Sequence, residues 1–176
     1  VRAWAATAAC SLALVAMPGT AAGADFAYAF GEPLTNTNIA GVAQDAAGNT
    51  YLSGTFNAAT FHVGSVALDR LGSYDMFVAK LDPGGATVWA RSFGGAGAAI
   101  SPAILDGLVV DANGNVFVGG RFDTADLSSP ALTLTGTRDA FLLKLAPDGS
   151  TLWARNFGGS GASTMGSGIA VDAAGM

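Results

Sequence analysis

Asp75 to Gly95 reads D-M-F-V-A-K-L-D-P-G-G-A-T-V-W-A-R-S-F-G-G, and Asp139 to Gly159 reads D-A-F-L-L-K-L-A-P-D-G-S-T-L-W-A-R-N-F-G-G. Thirteen of the 21 positions are identical, at a constant offset of 64 residues. Self-similarity at a fixed period of tens of residues is the signature of a repeat architecture. The chain is therefore organised by a repeat of about 64 residues.

The repeat extends upstream of this stretch. D-A-A-G-N-T-Y-L-S-G-T-F begins at Asp45, and D-A-N-G-N-V-F-V-G-G-R-F begins at Asp111, at an offset of 66. Because insertions are tolerated in loops, we expect the two-residue difference between Leu68 and Gly72. A third copy opens at Gly168 with G-I-A-V-D-A-A-G.

Each repeat predicts four short strands. They are rich in Val, Leu, Phe or Trp and are bounded by Gly, Pro, Asp or Asn. After residue 24, no segment shows the hydrophobic period of 3.6 residues that indicates an amphipathic helix, so we expect very little helix. In the second repeat the strands are Leu108 to Val110, Asn115 to Phe122, Asp139 to Leu145 and Thr151 to Phe157, with a brief fifth extended piece at Leu132 to Leu134.

Two kinds of turn separate these strands. In D-x-x-G-N the Asp side chain accepts hydrogen bonds from following backbone amides, and the Gly supplies a positive φ. In P-G-G at Pro83 and P-D-G at Pro147, Pro fixes φ and the last Gly takes the left-handed position. The first kind of turn comprises Asp45, Gly48 and Asn49 in one repeat and Asp111, Gly114 and Asn115 in the next.

Four antiparallel strands repeated with periodic Gly and aromatic positions are typical of β-propeller blades. A sandwich would lack the repeat, and a β-helix repeat would be much shorter. We therefore predict an all-β fold of four-stranded antiparallel blades that form an incomplete ring.

The N-terminus predicts a cleaved secretory signal peptide at residues 1–24. Arg2 precedes an apolar stretch at residues 3–17, and a small-residue run ends at Ala24. Fifteen apolar residues are fewer than the about 20 that span a bilayer. Cleavage would remove Cys10 and leave no transmembrane segment, so we expect a secreted, periplasmic or cell-surface bacterial protein.

The remaining chain divides into four predicted segments. F-A-Y-A-F-G at Phe26 to Gly31 aligns with W-A-R-S-F-G at an offset of 63, so residues 25–38 hold an isolated fourth strand and a linker. This strand is a candidate for closing the ring with the remaining blades of a longer chain. Residues 39–97 form the first full blade, 104–161 the second, and 166–176 the start of a truncated third.

Three motifs carry a resemblance to a known family. They are D-x-x-G-N-x-[YF]-x-x-G, D-x-F-x-x-K-L and W-A-R-x-F-G-G, and each occurs twice. They resemble the SBBP (seven-bladed β-propeller) repeats of bacterial secreted and cell-surface proteins. The resemblance implies an architecture, since these repeats share no known activity. The motifs begin at Asp45 and Asp111, at Asp75 and Asp139, and at Trp89 and Trp153.

Most chemistry-bearing residues have a structural interpretation. We expect each Trp to pack against the neighbouring blade, with a carbohydrate or cation platform as the alternative. We expect each Arg of W-A-R to pair with the Asp of D-x-F, and each Lys to find a carboxylate between blades. The residues concerned are Trp89, Arg91, Asp75 and Lys80, and Trp153, Arg155, Asp139 and Lys144.

Metal, phosphate and quinone sites are weaker interpretations. Asp45, Asp111 and Asp172 each offer one carboxylate where calcium prefers several. The Gly-rich runs at 94–97 and 158–161 lack the Lys and helix of a phosphate loop, so we expect flexible connections there. Lys80 to Trp89 resembles the docking motif of pyrroloquinoline-quinone dehydrogenase propellers but has neither its Ala nor its Thr.

Composition excludes further classes of function. Eight Lys and Arg against 13 Asp and Glu give a net charge of −5, which argues against nucleic acids and anionic membranes as partners. One Cys and one His, His62, exclude a disulfide framework and a structural zinc. The sequence predicts a non-enzymatic scaffold for an unknown protein or glycan, without catalytic, cofactor or metal residues. The alternative is a quinoprotein-like, cofactor-binding or enzymatic propeller that uses the central channel of the complete ring.

Overall fold

The computed structural model describes residues 36–102, 107–123, 125–166 and 168–172. Within these residues the regular elements are β-strands, and the paired strands are antiparallel, so the all-β prediction is confirmed. The strands are β1 Thr37–Gln44, β2 Thr50–Phe56, β3 Thr60–Val63, β4 Val66–Asp69, β5 Asp75–Leu81, β6 Thr87–Phe93, β7 Ala99–Pro102, β8 Leu108–Val110, β9 Val116–Asp123, β10 Leu127–Ser128, β11 Ala131–Leu132, β12 Arg138–Leu145 and β13 Thr151–Phe157.

Each repeat forms one sheet with the same strand order. The first sheet is ordered β1-β2-β5-β6. The second sheet is ordered β13-β12-β9-β7, and β8 also pairs with β9. β7 and β8 together therefore take the position that β1 occupies in the first sheet. A small hairpin, β3–β4 or β10–β11, lies in the connection between the second and third strands of each sheet.

The predicted strands of the second repeat all form, but two details differ from expectation. The extended piece predicted at Leu132 to Leu134 lies one residue earlier, as β11 in the β10–β11 hairpin. β7 was not predicted, because four residues that end in Pro102 carry no alternating pattern and Pro weakens a strand signal. Pairing with β9 forms this strand.

The length difference between the repeats lies inside the hairpin and not between Leu68 and Gly72, as the sequence predicted. Phe61 pairs with Leu68 in β3–β4, and Leu127 pairs with Leu132 in β10–β11. The hairpin of the first repeat is therefore two residues longer between equivalent buried partners.

The two sheets stack, with one face of the first sheet packed against one face of the second. The face of the first sheet that contacts the second sheet is called the front face, and alternation along each strand places the other residues on the back face. One core joins the sheets, and a second core lies between the back face and the β3–β4 hairpin. The first includes Tyr51, Met76, Val78, Trp89 and Phe93 with Val116, Val118, Phe122, Phe141, Leu143 and Leu145; the second includes Leu52, Phe56, Phe61, Val63, Leu68, Phe77 and Leu81.

The front face is covered in one repeat and open in the other. Trp89 and Phe93 are 6% and 3% exposed beneath the second sheet. Their equivalents Trp153 and Phe157 are 36% and 52% exposed. The described residues therefore cover one of two equivalent apolar surfaces.

Several sequence predictions fall outside the described residues. These are the signal peptide at 1–24 with Cys10, the strand at Phe26 to Gly31, and the third copy beyond Asp172. Within the part of the chain that the structure describes, no helix is long and apolar enough to cross a membrane.

Candidate functional site

The D-x-x-G-N turns are closed by their own Asp side chains, as predicted. Asp45 Oδ1 accepts hydrogen bonds from the backbone N–H groups of Ala47 at 3.0 Å and Asn49 at 2.9 Å, and Gly48 has φ of 83°. Asp45 Oδ2 accepts from Asn49 Nδ2 at 2.8 Å and from the Tyr51 hydroxyl at 3.0 Å. Burial alone would raise the pKa of Asp45, but these donors lower it below its usual value.

The second turn repeats this geometry. Asp111 Oδ1 accepts from the backbone N–H groups of Asn113 at 2.9 Å and Asn115 at 2.8 Å, and Oδ2 accepts from Asn115 Nδ2 at 2.7 Å. Gly114 has φ of 80°. The donors outweigh burial here too, so the pKa of Asp111 is lowered. Both carboxylates are thus engaged in capping, which leaves the calcium interpretation unsupported at these turns.

The two lysines act within a repeat, whereas the sequence predicted pairs between blades. Lys80 Nζ lies 3.8 Å from Asp45 Oδ2 and 5.1 Å from the centroid of the Tyr51 ring. Lys144 Nζ lies 4.6 Å from the centroid of the Phe117 ring, the equivalent position. The strand register explains these contacts, because each lysine lies directly opposite its aromatic partner on the adjacent strand.

Asp75 and Asp139 fasten a loop to the start of a strand instead of pairing with arginine. Asp75 is fully buried and accepts from the backbone N–H groups of Leu71 at 2.7 Å and Gly72 at 2.9 Å. Arg91 lies across the sheet from Val78 and donates instead to the carbonyls of Ala90 and Asp148, at 3.0 and 3.3 Å. The predicted Arg91–Asp75 pair is therefore not formed.

Asp139 has more donors than Asp75. Thr135 gives it a backbone N–H at 2.9 Å and a hydroxyl at 2.7 Å, Gly136 a backbone N–H at 3.0 Å, and Asn156 a side-chain amide at 2.8 Å. The pKa of Asp139 is lowered, because these hydrogen bonds outweigh burial. The pKa of Asp75 is raised, because burial dominates over the N–H groups of Leu71 and Gly72.

The first glycine of each F-G-G segment lies against a buried carboxylate, a contact that the sequence did not predict. A Cβ on Gly94 would collide with the Asp75 carboxylate, and one on Gly158 would collide with Asp139. The Gly94 N–H also donates to the Ser129 carbonyl at 2.7 Å, which ties the first repeat to the β10–β11 hairpin of the second. Gly is required here by the approach of a carboxylate.

Trp89 joins the first repeat to the turn of the second, which is the packing predicted for it. Its Nε1 donates to the Pro147 carbonyl at 2.9 Å. Gly149, with φ of 82°, lies so close that a Cβ would sit 2.9 Å from the ring. The W-A-R segment of one repeat thus holds the P-D-G turn of the next.

The equivalent surface of the second sheet, called the open front face, consists of Phe117, Lys144, Trp153, Arg155 and Phe157. Trp153 meets Phe117 edge-on at a centroid distance of 6.2 Å, and the Arg155 guanidinium lies 5.8 Å from the Trp153 ring centroid. Tyr51 and Trp89 have the same edge-on arrangement and distance in the first sheet. The two faces are therefore built alike.

The third copy begins to cover this face. Leu108, near the start of the second repeat, lies beside Gly41, opposite Ser53 in the first sheet. Its equivalent Ile169 lies against Gly119, the position of Ser53 in the second sheet, 2.9 Å from where a Cβ would be.

A pocket lies at one end of the two sheets, at positions that sequence reasoning missed. It has a volume of about 170 Å³ and is lined by Thr55, Tyr74, Ala99, Ile100, Arg121 and Asp123. The signal that would have found it is the comparison of repeats, since Thr55 and Asn57 of the first become Arg121 and Asp123 of the second.

Among the described residues, the other residues considered for metal or cofactor binding do not lie together in one site. Among the described residues no group of three or more His, Cys, Asp or Glu side chains is placed to hold a metal. His62 lies in β3, exposed, opposite Ala67. In the quinone-motif segment, Asp82 caps its turn by accepting from the N–H groups of Gly84 and Ala86 at 2.9 and 2.8 Å.

The fold and these contacts define an all-β repeat protein of stacked antiparallel sheets. No family model matches the chain, and no curated protein matches it.

Proposed function

We propose that this chain belongs to an exported, non-enzymatic β-propeller scaffold of the SBBP type that presents loops to a protein or glycan. The observation that carries the proposal is the pair of equivalent faces. The front face of the first sheet is covered by the second sheet, whereas Trp153 and Phe157 of the open front face are 36% and 52% exposed. A further sheet of the same kind fits that face.

The repeat-to-repeat contact gives the stack a fixed geometry. Trp89 and Arg91 hold the carbonyls of Pro147 and Asp148 in the next repeat. Trp153 and Arg155 offer the same groups to a third P-x-G turn. Antiparallel sheets that pack front to back in this way are the building principle of propellers.

The recurring polar residues support a scaffold function. Asp45, Asp75, Asp111 and Asp139 are each engaged by backbone or side-chain donors that close turns and loops. Carboxylates committed in this way stabilise the fold and leave recognition to the positions that vary between repeats. Export is proposed from the N-terminal apolar segment and its small-residue run.

Completing the third copy tests this architecture. Met176 would be replaced by a copy of residues 115–161, so that a third P-x-G turn reaches Trp153. We expect the Trp153 indole N–H to become protected from hydrogen exchange, as its equivalent is already bonded to Pro147, and the denaturation midpoint to rise.

A matched control would carry Asp at the added copies of Val118 and Leu143, both fully buried between the sheets. The control should fail to protect Trp153. An extended chain whose added repeat stays unfolded, or whose Trp153 exchanges as fast as before, would contradict the stacked-sheet proposal.

A further inference from the structure

Met165 lies between two arginines at one end of the open front face. Arg121 Nη1 donates to the Met165 sulfur at 3.1 Å, and Arg138 Nη1 donates to the same atom at 3.8 Å. Arg121 and Phe117 alternate onto the same face of β9, so the arginines continue the open front face. Met165 is nevertheless 62% exposed. A small reagent in solution can therefore reach a sulfur that two guanidinium groups already contact.

The backbone next to Met165 is bonded to the second sheet. The Thr164 N–H donates to the Arg138 carbonyl at 2.9 Å. Beyond Met165, Ile169 of the third copy lies against Gly119 on the open front face. Met165 therefore occupies the point where the chain leaves a bonded segment and passes onto that face.

Of the two complete repeats, only the second carries this cluster. Arg138 bridges to Ser163 as Tyr74 bridges to Ala99, which sets the equivalence of the two segments. The repeat architecture does not require an arginine or a methionine at these positions, so the cluster needs an explanation of its own. In place of Arg121, Arg138 and Met165 the first repeat has Thr55, Tyr74 and Ser101.

A thioether makes poor use of two guanidinium donors, because its sulfur is a weak acceptor. Oxidation converts the thioether into a polar sulfoxide. The sulfoxide oxygen carries a partial negative charge, so it accepts from a guanidinium more strongly than sulfur does, and hydrogen bonds from a charged donor are about twice as strong as neutral ones. The methionine side chain has three rotatable bonds and is exposed here, so it can withdraw until this oxygen lies near the present position of the sulfur.

We propose that Met165 is a site of reversible oxidation by hydrogen peroxide, and that Arg121 and Arg138 bind the sulfoxide that forms. The sulfur attacks one peroxide oxygen, the S–O bond forms as the O–O bond breaks, and the other oxygen takes up the proton of the first and leaves as water. The sulfur loses two electrons and the peroxide gains them. The bound sulfoxide fastens the start of the third copy to the end of the second sheet. This site goes beyond the proposed scaffold function and does not depend on it.

Treatment with dilute hydrogen peroxide, followed by peptide mass mapping and hydrogen exchange, tests the site. Met165 should gain one oxygen atom at a rate about tenfold or more above that of Met76, which is 0% exposed. Oxidation should slow exchange of the Thr164 N–H about fivefold, because the sulfoxide holds this segment on the arginines. Methionine sulfoxide reductases for both epimers, supplied with a thiol reductant, should restore the original exchange rate.

Matched variants separate this effect from oxidation elsewhere. Arg121→Leu and Met165→Leu should each abolish the slowing of Thr164 exchange, and Arg121→Lys should retain most of it. Arg155→Leu removes an arginine elsewhere on the open front face and should leave the slowing unchanged. Equal oxidation of Met165 and Met76, Thr164 exchange that is unchanged or faster after oxidation, or slowing that persists in Arg121→Leu would overturn the proposal. None of these results bears on the stacked sheets, whose test is the protection of Trp153.

Discussion

Asp75 and Asp139 occupy the same position of two repeats, are both fully buried, and ionise differently. Two side chains contribute to the difference: Thr135 and Asn156 donate to Asp139, whereas Leu71 and Ser92 stand at those positions beside Asp75. Burial therefore dominates the pKa of Asp75 and raises it, while donors lower that of Asp139. The charge of a repeated residue is set by its neighbours and not by the motif.

The double variant Leu71→Thr/Ser92→Asn should transfer the donors to the first repeat. A carboxyl whose folded pKa is raised loses stability as the pH rises through the interval between its unfolded and folded values. Supplying donors should lower the pKa of Asp75 and raise the free energy of unfolding at pH 7 by about 1–2 kcal/mol. The gain should vanish at low pH, where this carboxyl is protonated in both the folded and the unfolded state.

The reverse variant, Thr135→Leu/Asn156→Ser, is the control in the second repeat. The lowered pKa of Asp139 gives stability that is present above the unfolded pKa and lost as the pH falls through the folded value. This variant should therefore have a lower free energy of unfolding at pH 7. The difference between its free energies of unfolding at pH 7 and pH 3 should be smaller than in the unmodified protein. Urea denaturation across pH, with NMR titration of both carboxyls, measures the effect; equal behaviour of the two variants would contradict it.

Gly149→Ala tests the contact between Trp89 and the following turn. Ala at φ of 82° costs about 1–2 kcal/mol, and a Cβ 2.9 Å from the ring adds about 1–3 kcal/mol of overpacking. Gly161→Ala is the control, since Gly161 has φ of 72° and nothing within 4 Å of the added Cβ. We expect Gly149→Ala to be the more destabilising in urea denaturation, and equal losses would show that the ring is not in the way.

At the scale of the elements, equivalent strands differ in what covers them. Trp89 in β6 is 6% exposed and Trp153 in β13 is 36% exposed. Trp89→Ala should cost about 3–5 kcal/mol, as for a buried Trp, whereas Trp153→Ala should cost about 1–2 kcal/mol. Denaturant midpoints of the two variants provide the comparison, and equal costs would mean that Trp153 is covered in solution.

Most of the strands could be predicted from sequence because their alternation and turn residues are local. The packing of Trp89 against the next repeat could be predicted because a Trp recurs at the same position of both repeats. β7 could not, since its pairing with β9 is a tertiary contact without a local pattern. The pocket residues Tyr74 and Arg121 could not either, because a repeat pattern emphasises what is constant and they are among the positions that change.

For the whole molecule, the open front face exposes the aromatic side chains of Trp153 and Phe157 to solvent, and exposed apolar groups that lie together mark interaction sites. We expect the 176-residue chain to self-associate through it at raised concentration. Phe157→Lys should reduce the association, because the equivalent Phe93 is buried between sheets. Sedimentation equilibrium measures the change.

Leu152→Lys is the matched control for this prediction. Leu152 is 52% exposed, as is Phe157, but it lies at a bulge of β13, and its equivalent Val88 stays exposed in the covered repeat. Its substitution should leave the association unchanged. A monomer at all concentrations, or equal effects of both substitutions, would contradict a role for the open front face.

The contact between Trp89 and the Pro147 turn has a consequence for how such a gene changes. Both complete repeats carry a P-x-G turn and an outer-strand Trp, in the same order along the chain. Unequal recombination that adds or deletes one whole unit therefore leaves each new junction with a matching pair. The number of repeats can therefore change between related genes without a compensating substitution at the contacts between repeats. Deletion of half a repeat would leave a Trp or a P-x-G turn without its partner, and selection would remove it.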